Sequence, residues 1–233
     1  MKLFAHRGWC AGADENTLAA FARAADQAVI SGIELDLRRA HDGSTLLVCH
    51  DPPRVGEDTL TLDAALEFLS GTDLELFVEL KEGDIAAIVI DRLVAAKMAE
   101  RSVVFAFPPV ARAFPWKEAR PVRLGIIEVF PWNLNRAMRA YAPDVLFLGW
   151  DERAWTRAAF RAWWSLASLA RLGQRHDLPV VVGIVQRAAD LEWLRRQGVH
   201  AAVTDFDAAI TAALAKAPYV IDSRSRQPHQ RRP

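Results

Sequence analysis

The sequence has few cysteines, no excess of either charge and no long apolar run. Its two cysteines, Cys10 and Cys49, are too few for the disulfide framework of a small secreted domain. Lysine plus arginine and aspartate plus glutamate both number 29, so the formal net charge is zero. That balance argues against a nucleic-acid-binding protein that relies on overall charge. No apolar run reaches the roughly 20 residues that cross a bilayer, so we expect no transmembrane segment.

The two ends of the chain differ in character. The first residues, MKLFAHRG, begin a strand pattern at once and lack the apolar segment of a signal peptide, so we expect a cytoplasmic protein. The apolar fraction, 52% of 233 residues, is enough for a substantial core. Residues 219–233 are polar and basic and have no periodicity. We therefore predict one domain over residues 1–218, followed by a disordered tail.

Short apolar runs alternate with segments of helical spacing. Eight runs have the residue types of buried strands: KLFAHR, GIELDL, LELFVELK, SVVFAF, VRLGIIEV, DVLFLGW, LPVVVGIV and AAVTDF. Helical patterns follow most of them, the longest over residues 153–172, and this alternation predicts a parallel sheet covered by helices. The count of eight favours an α/β fold of the closed (β/α)8 TIM-barrel type over an open doubly wound sheet.

One segment departs from the alternation. Asp42-Gly43 separates two apolar stretches, which is a strong signal for a β-hairpin. We therefore predict a hairpin in the loop after the second barrel strand. Its returning arm would bring His50 back beside Glu34 and Asp36.

Charged residues occupy the predicted inner faces of two neighbouring strands. Alternation places Glu34, Asp36 and Arg38 on one face of the second strand, and Glu79 and Lys81 on one face of the third. They lie toward the carboxyl ends, where barrel enzymes build their sites. Three carboxylates in a confined space repel one another unless they are protonated or bind a cation. Oxygen ligands suit Mg²⁺, Ca²⁺ or Mn²⁺ rather than zinc.

Two histidines and two cationic side chains are predicted to reach the same place. His6 ends the first strand and His50 ends the hairpin arm, and two imidazoles flanking a metal can act as general base and general acid. Arg7 and Lys81 can hold a phosphate. Together these groups are the parts that phosphoryl transfer requires.

Other residues at strand ends are less specific. We expect Arg38 to form an ion pair with the carboxylates, and Asp205 to hydrogen-bond Lys81 or a neighbouring loop in a structural role. For Glu128, a substrate contact and a structural role are equally open. Cys10 and Cys49 are interpreted as a loop thiol and a packed strand residue.

These motifs carry a family resemblance. AHRG, ENTLAAF, GIELDLR, DG, CHD and VELK resemble, in order and spacing, the motifs of the glycerophosphodiester phosphodiesterases, a family of (β/α)8 barrels among the phospholipase-C-like phosphodiesterases. The resemblance is dense over residues 4–81, and GVHAAVTDF resembles the last strand of the family. It implies one divalent cation at Glu34, Asp36 and Glu79, with His6 and His50 as the acid–base pair. It also implies that Arg7 and Lys81 hold the phosphate and that Glu15–Asn16 shape the first loop.

The resemblance implies hydrolysis of glycerophosphodiesters to glycerol phosphate and an alcohol, by attack of the substrate's own glycerol hydroxyl and hydrolysis of the resulting cyclic phosphate. Lysophospholipids or sugar phosphodiesters are alternative substrates. A catalytically silent binding barrel is disfavoured because no histidine or metal carboxylate is missing. Gly183 stands where the family has tryptophan, and the span between Asp51 and Glu79 is short. We therefore expect a wider mouth, with Trp150 partly replacing the lost aromatic side chain.

The long helix predicted over residues 153–172 has two distinct faces. Trp155, Ala159, Ala162, Leu166 and Leu169 form an apolar face that we expect to pack on the barrel. The opposite face carries arginines, and Phe160 and Trp164 lie among them. This second face is either solvated, with arginine stems covering the aromatic rings, or a contact surface. For a contact surface, a homodimer is favoured over weak membrane-surface contact, since the helix would lie on the outer wall and away from the mouth.

Overall fold

The computed structural model describes residues 1–56, 58–118, 120–151 and 153–216. The predicted domain boundary at residue 218 and the predicted tail at residues 219–233 lie outside these ranges.

Eight parallel strands close into a barrel. Within the described residues the strands are β1 (Lys2–His6), β2 (Gly32–Arg39), β3 (Leu46–Val48), β4 (Glu75–Leu80), β5 (Ser102–Ala106), β6 (Arg123–Glu128), β7 (Val145–Leu148), β8 (Val180–Val185) and β9 (Ala201–Thr204). All except β3 pair in parallel around the ring, and β1 pairs with both β2 and β9. The predicted (β/α)8 barrel is confirmed.

Strand β3 is the predicted hairpin arm. It runs antiparallel to β2, with Leu37 opposite Val48. In the turn, the Asp42 carboxylate accepts the backbone N–H groups of Ser44 and Thr45, each at 2.8 Å. Gly43 has a φ of 75°, a conformation that glycine adopts without strain. The Asp-Gly signal in the sequence therefore marks a real reversal of the chain after the second barrel strand.

Helices fill the connections between strands. They are α1 (Leu18–Ala25), α2 (Leu62–Ser70), α3 (Ala86–Ala95), α4 (Pro108–Ala111), α5 (Leu134–Tyr141), α6 (Ala154–Ala167), α7 (Leu169–His176), α8 (Ala188–Gln197) and α9 (Ala208–Lys216). The side chains of Thr17 and Thr61 cap α1 and α2 by accepting backbone N–H groups of the first turn. None of the described helices combines the length and the apolarity needed to cross a bilayer.

The core has two layers. Ile33, Leu35 and Leu37 on β2 belong to the outer layer, between the sheet and the helices. Inside the barrel, four phenylalanine rings pack together and form the inner layer. Phe4 stacks on Phe77 at 3.6 Å, Phe105 stacks on Phe147 at 3.9 Å, and Phe77 meets Phe147 edge-on at 5.1 Å. Phe4 and Phe77 stand two residues before His6 and Glu79 on the same strand faces, so this aromatic layer lies directly beneath the charged residues.

The prediction of one helix over residues 153–172 is wrong. The helix ends at Ala167, and Ser168 adopts a positive φ of 64° before α7 begins. The Ser168 hydroxyl accepts the backbone N–H of Arg171 at 3.4 Å and so caps α7. Apolar spacing continues across the break, which is why periodicity alone does not reveal it.

The predicted orientation of α6 is also wrong. Phe160 and Trp164 are buried in the outer core. Arg157 and Arg161 on the same side form ion pairs with Asp190 of α8, which is fully buried. Because a buried carboxylate needs such partners, this side of α6 must face the protein. Most of the face expected to be buried is exposed instead, with Trp155, Ala159, Ala162 and Leu166 toward solvent. Leu169, which begins α7, is buried as expected.

Candidate active site

The turn after β1 brings the first site residues to the carboxyl end of the barrel. His6 is the last residue of β1, and Arg7 and Gly8 follow with positive φ angles of 55° and 90°. A Cβ on Gly8 would lie 2.8 Å from the Cβ of Ala20 in α1, so glycine is required for this close approach. The backbone N–H of Arg7 donates to Glu34 Oε2 at 3.3 Å. The turn is thus tied to β2.

Three carboxylates meet as the alternation of β2 and β4 predicts. Glu34 is the register partner of His6, and Asp36 is the register partner of Glu79. Glu34, Asp36 and Glu79 each offer one oxygen, and these oxygens lie within 4.8 Å of one another. Glu34 and Asp36 are buried and Glu79 is nearly so.

The protonation of these carboxyls is unequal. Burial, followed by repulsion from Asp36 and Glu79, raises the pKa of Glu34 well above its ordinary value. Burial also raises the pKa of Glu79. Burial opposes ionisation of Asp36 too, but the charges of Lys81 and Arg7 outweigh it and lower its pKa. Two of the three carboxyls therefore have less positive charge nearby than their ionised forms require.

Lys81 and Arg7 lie against the carboxylates. Lys81 Nζ is 2.8 Å from Asp36 Oδ1 and 2.6 Å from Glu79 Oε1, which leaves one of its three N–H donors unused by these contacts. Arg7 Nη1 donates to Glu15 Oε1 at 2.8 Å. Arg7 Nε lies 3.0 Å from Asp36 Oδ2, yet it is buried and makes no well-aligned hydrogen bond with any described residue. Both side chains retain donors for an anion.

The first loop is held to the same cluster. The Asn16 amide donates to Asp36 Oδ2 at 3.1 Å, and its backbone N–H donates to the Arg7 carbonyl at 2.9 Å. Asn16 has a φ of 58° and is buried, so its side chain is fixed toward the site. With the Glu15–Arg7 pair, these contacts give Glu15 and Asn16 the loop-shaping position that the resemblance implies.

His6 pairs with Asp205, for which we expected Lys81 or a neighbouring loop as the partner. Its Nδ1 lies 2.6 Å from Asp205 Oδ1, and Gln186 donates to Asp205 Oδ2 at 2.9 Å. Burial opposes ionisation of Asp205, but the hydrogen bond and charge of His6, the hydrogen bond of Gln186 and the charge of Arg7 together outweigh it and lower the pKa of the carboxyl. A carboxylate only accepts hydrogen bonds, so His6 donates its Nδ1–H, and in the neutral imidazole Nε2 is then the acceptor nitrogen. That Nε2 is 3.9 Å from Glu34 Oε2.

Of the two contacts expected for Asp205, the one with a neighbouring loop is present, through Gln186 between β8 and α8, whereas its other partner is His6 and not Lys81. Asp205 follows β9, and the closed barrel places β9 beside β1. One signal in the sequence pointed to this contact. Once a closed barrel is predicted, the acid at the end of the last strand must neighbour the histidine at the end of the first. The role of Gln186 had no comparable signal.

His50 lies at the end of the hairpin arm and is partly exposed. Its Nδ1 is 2.8 Å from Asp51 Oδ1, and it is close enough to Glu79 to interact with it electrostatically. Arg38 Nε donates to the His50 carbonyl at 2.7 Å. The nearest ion-pair contact of Arg38 is with Glu82, at 3.9 Å, so the expected pairing of Arg38 with the metal carboxylates is wrong. Arg38 instead holds the segment that presents His50.

Trp150 and Gly183 lie away from the charged cluster. Trp150 is half-buried, and its ring meets Phe160 edge-on at 5.2 Å. Among the described residues, no ring contact or hydrogen bond joins it to the cluster. A Cβ on Gly149 would lie 1.9 Å from the Gly183 carbonyl oxygen, and a Cβ on Gly183 would lie 2.9 Å from Val203 Cβ. Glycine is therefore required at position 149 by the close approach of the β8 backbone, and at position 183 by the close approach of Val203 on β9.

The carboxylate cluster fits a hard divalent cation. Glu34, Asp36 and Glu79 offer only oxygen, and their separation allows one ion to contact all three. A dication there would supply the positive charge that Glu34 and Glu79 lack. The arrangement is compatible with Mg²⁺, Ca²⁺ or Mn²⁺, and it has none of the sulfur or nitrogen ligands typical of zinc.

Comparison with known proteins identifies the family. The Glycerophosphoryl diester phosphodiesterase family profile matches residues 6–206. A phosphodiesterase of Oleispira antarctica, solved in complex with the product sn-glycerol-3-phosphate, is 18% identical, with a TM-score of 0.71 over 92% of this chain and 97% of that chain. A glycerophosphodiester phosphodiesterase from Agrobacterium tumefaciens is 20% identical, with a TM-score of 0.68 over 91% and 99%. One from Parabacteroides distasonis is 19% identical, with a TM-score of 0.67 over 88% and 92%.

No curated protein matches the chain significantly by sequence. At these low identities the solved structures establish a shared fold, and the profile match over residues 6–206 establishes the family. The chain belongs to the glycerophosphoryl diester phosphodiesterase family and is a phosphoric diester hydrolase.

Proposed function

We propose that the protein hydrolyses glycerophosphodiesters to glycerol phosphate and an alcohol. The observation that carries the proposal is the meeting of three carboxylates within 4.8 Å, beside a histidine held by an ionised aspartate. Family membership supports it, as does the glycerol phosphate bound to the Oleispira antarctica protein of the same fold.

One divalent cation is proposed to bind Glu34, Asp36 and Glu79. When bound, such an ion polarises phosphate oxygens and reduces the cost of negative charge that develops on them. The protein contributes a rigid frame, since all three carboxylates project from adjacent barrel strands. Asn16 and Lys81 fix the carboxylate of Asp36 through hydrogen bonds of 3.1 and 2.8 Å.

His6 and His50 are proposed to exchange protons with the substrate. Each has its Nδ1 beside a carboxylate, Asp205 or Asp51, so each keeps Nε2 for catalysis. In the first step, one neutral imidazole takes the proton of a glycerol hydroxyl as that oxygen bonds to phosphorus. The other histidine, in its protonated form, gives a proton to the departing alcohol oxygen. The roles then exchange as water opens the cyclic phosphate.

Arg7 and Lys81 are proposed to hold the phosphate. Lys81 has a remaining N–H donor, and the five N–H donors of the Arg7 guanidinium exceed the two that its contacts with Asp36 and Glu15 can use. Both groups are already fixed by carboxylates, so little side-chain entropy is lost when an anion binds. Charge-assisted hydrogen bonds of this kind are the strong ones.

The test is release of glycerol phosphate from purified protein supplied with glycerophosphocholine and related diesters, before and after chelation. Chelation should abolish turnover, and Mg²⁺, Ca²⁺ or Mn²⁺ should restore it. Replacing His6 or His50 with alanine should reduce kcat by about 10² to 10⁴. His41→Ala is the matched control, because His41 is an exposed histidine at the hairpin turn that bonds only the Pro53 carbonyl among described contacts. Full activity in chelated enzyme, or a near-normal rate in His50→Ala, would contradict the proposal.

A further inference from the structure

Helix α6 is apolar on its exposed side as well as on its buried side. Trp155, Trp163 and Leu166 are 58%, 50% and 87% exposed. The other exposed positions between them carry small side chains: Ala158, Ala159, Ala162 and Ser165. From Trp155 to Leu166 this face extends about 16 Å along the helix. Contiguous exposed apolar surface of this kind marks an interaction site.

The exposed face continues into a groove at the mouth of the barrel. The groove holds about 90 Å³ and is lined by residues that include Val129, Pro131, Trp132, Gly149 and Trp155. Val129 and Gly149 directly follow β6 and β7, so the groove opens at the carboxyl face of the barrel, the face on which His6 lies. In the eight-stranded ring, β6 and β7 are opposite β1 and β2. The expectation that this helix lies only on the outer wall is therefore wrong.

The rim of the groove is rich in tryptophan. Trp132 is 70% exposed, and its ring stacks on Phe130 at 4.7 Å. With Trp155 and Trp163 it gives three exposed indoles around one groove. We call Trp132, Trp155, Trp163 and Leu166 the rim surface. Tryptophan is the side chain most enriched at membrane–water interfaces, because an indole has an apolar body and one N–H donor.

The helices around the rim surface carry positive charge, and the nearby Asp151 is neutralised by its ion pair with Arg153, whose guanidinium lies over the Trp155 ring. Helices α5, α6 and α7 contain six arginines and no acidic residue, in a chain whose formal net charge is zero. Arg157 and Arg161 share the single carboxylate of Asp190. The other four are exposed: Arg136, Arg139, Arg171 and Arg175. This part of the surface is complementary to an anionic partner.

A second copy of the chain fits this surface poorly. A two-fold dimer through α6 would place the same patch on both subunits and bring the arginine-rich helices toward each other. Like charges at such an interface oppose association. Anionic lipid headgroups have the opposite effect, since arginine beside exposed tryptophan and leucine is the composition of helices that lie at lipid surfaces.

We infer that the rim surface docks on an anionic lipid bilayer. The protein meets the bilayer by one edge of the barrel mouth, with the indoles and Leu166 at the headgroup level and the exposed arginines near anionic headgroups. The docking rests on the contacts above and not on the proposed function. Its consequence rests on that function, since diesters held in the lipid surface would reach the catalytic half of the mouth across the groove.

The test is flotation of the full chain with vesicles of phosphatidylcholine alone and of phosphatidylcholine mixed with phosphatidylglycerol. Wild type should float with the mixed vesicles and much less with phosphatidylcholine alone, and added salt should weaken its binding. The variant Trp155→Ser, Trp163→Ser, Leu166→Ser should lose about tenfold or more in binding, because three apolar side chains no longer leave water. Ile88→Ser, Val94→Ser on α3 is the matched control, as both residues are exposed and apolar but lie elsewhere.

The outcomes separate docking from catalysis. Wild type that ignores mixed vesicles, or a triple variant that floats like wild type, overturns the inference. The inference is also overturned if wild type binds no vesicles but forms a dimer that the triple variant cannot form, because a second copy then covers the surface. Vesicle binding by a protein that hydrolyses no glycerophosphodiester supports docking and refutes the proposed function alone. Equal hydrolysis of a water-soluble diester by wild type and triple variant, with vesicle binding lost, supports both.

Discussion

At the scale of single residues, the tautomer of the His6 imidazole depends on Asp205. The 2.6 Å contact between them fixes which ring nitrogen carries the proton. Gln186 in turn holds the second oxygen of Asp205 at 2.9 Å, so the carboxylate cannot easily rotate away. Among the described contacts, neither Asp205 nor Gln186 bonds Glu34, Asp36 or Glu79. Their effect on catalysis is therefore separable from cation binding.

Asp205→Asn should reduce kcat while leaving KM nearly unchanged. The change replaces a charge-assisted hydrogen bond with a neutral one, at a cost of about 1.5–3 kcal/mol, which corresponds to roughly 10 to 10² in rate. Asp207→Asn is the control, because Asp207 only caps α9 through the Ile210 N–H. Steady-state kinetics on one glycerophosphodiester decides it. An unchanged kcat would mean that His6 is positioned without Asp205.

Glu34→Gln should stabilise the protein when divalent cations are removed. The folded pKa of Glu34 is raised, chiefly by burial, whereas the unfolded chain has the ordinary value. As pH rises above that ordinary value, the unfolded state releases its proton first, so stability falls until the folded pKa is passed. The glutamine variant avoids this loss, and in chelator at neutral pH it should melt at a higher temperature than wild type.

A bound divalent cation should reverse the order of the two melting temperatures, so that wild type melts above Glu34→Gln. At about 100 times its Kd, a ligand that binds only the folded state adds roughly 2.7 kcal/mol, and the variant should gain much less than wild type. Thermal melts of both proteins, with and without Mg²⁺ or Ca²⁺, make the comparison. Glu67→Gln is the control, since Glu67 is an exposed residue of α2. A wild type that melts above Glu34→Gln in chelator would show that Glu34 is already compensated within the protein.

At the scale of elements, the break between α6 and α7 depends on Ser168. Its positive φ strains any residue with a Cβ, and its hydroxyl caps α7. Ser168→Ala keeps the strain and loses the cap, so it should destabilise the protein by about 1 kcal/mol. Ser168→Gly loses the cap but relieves the strain, so its effect should stay within a few tenths of a kcal/mol. Urea unfolding midpoints test the order, and equal losses would mean that the cap alone matters.

The same region marks where sequence reasoning fails. Alternation on β2 and β4 placed Glu34, Asp36 and Glu79 correctly, because one face of each strand is apolar and the other charged, so the pattern has one solution. In α6 both faces are apolar, with Trp155 and Leu166 on one and Phe160 and Trp164 on the other. Which face of α6 is buried depends on Asp190, a buried carboxylate on α8 that pairs with arginines of α6. A contact at that distance along the chain leaves no local trace.

At the scale of the whole molecule, the barrel interior supports the site from below. Phe77 is buried and contacts Phe4, Phe105 and Phe147. Phe77→Ala should cost about 3–5 kcal/mol, because the rings around it cannot collapse fully into the space. Phe107→Ala, at the exposed end of β5, is the control and should cost far less. Urea denaturation measures both. Similar losses would indicate that the inner aromatic layer contributes little beyond ordinary surface packing.

Contacts of the site that follow from strand order were predictable from the sequence, whereas those that need the closed barrel were not. Residues from the first three barrel strands and the hairpin have a dense pattern in the sequence, and their meeting follows from strand order. The Asp205–His6 contact needs the ring to be closed, and the Arg38–His50 contact depends on the curl of the hairpin. Both are products of three-dimensional packing, which a strand pattern does not specify.

Ring closure also sets when this enzyme can first work during its own synthesis. Synthesis adds His6 well before its aspartate partner, which lies 199 residues further along the chain. Until β9 emerges and pairs with β1, the nascent chain holds the proposed cation ligands and both histidines but lacks the carboxylate that fixes the proton of His6 on Nδ1. On the proposed mechanism, full hydrolytic activity therefore requires β9 to dock, and a chain cut short before β9 is left with an open sheet edge.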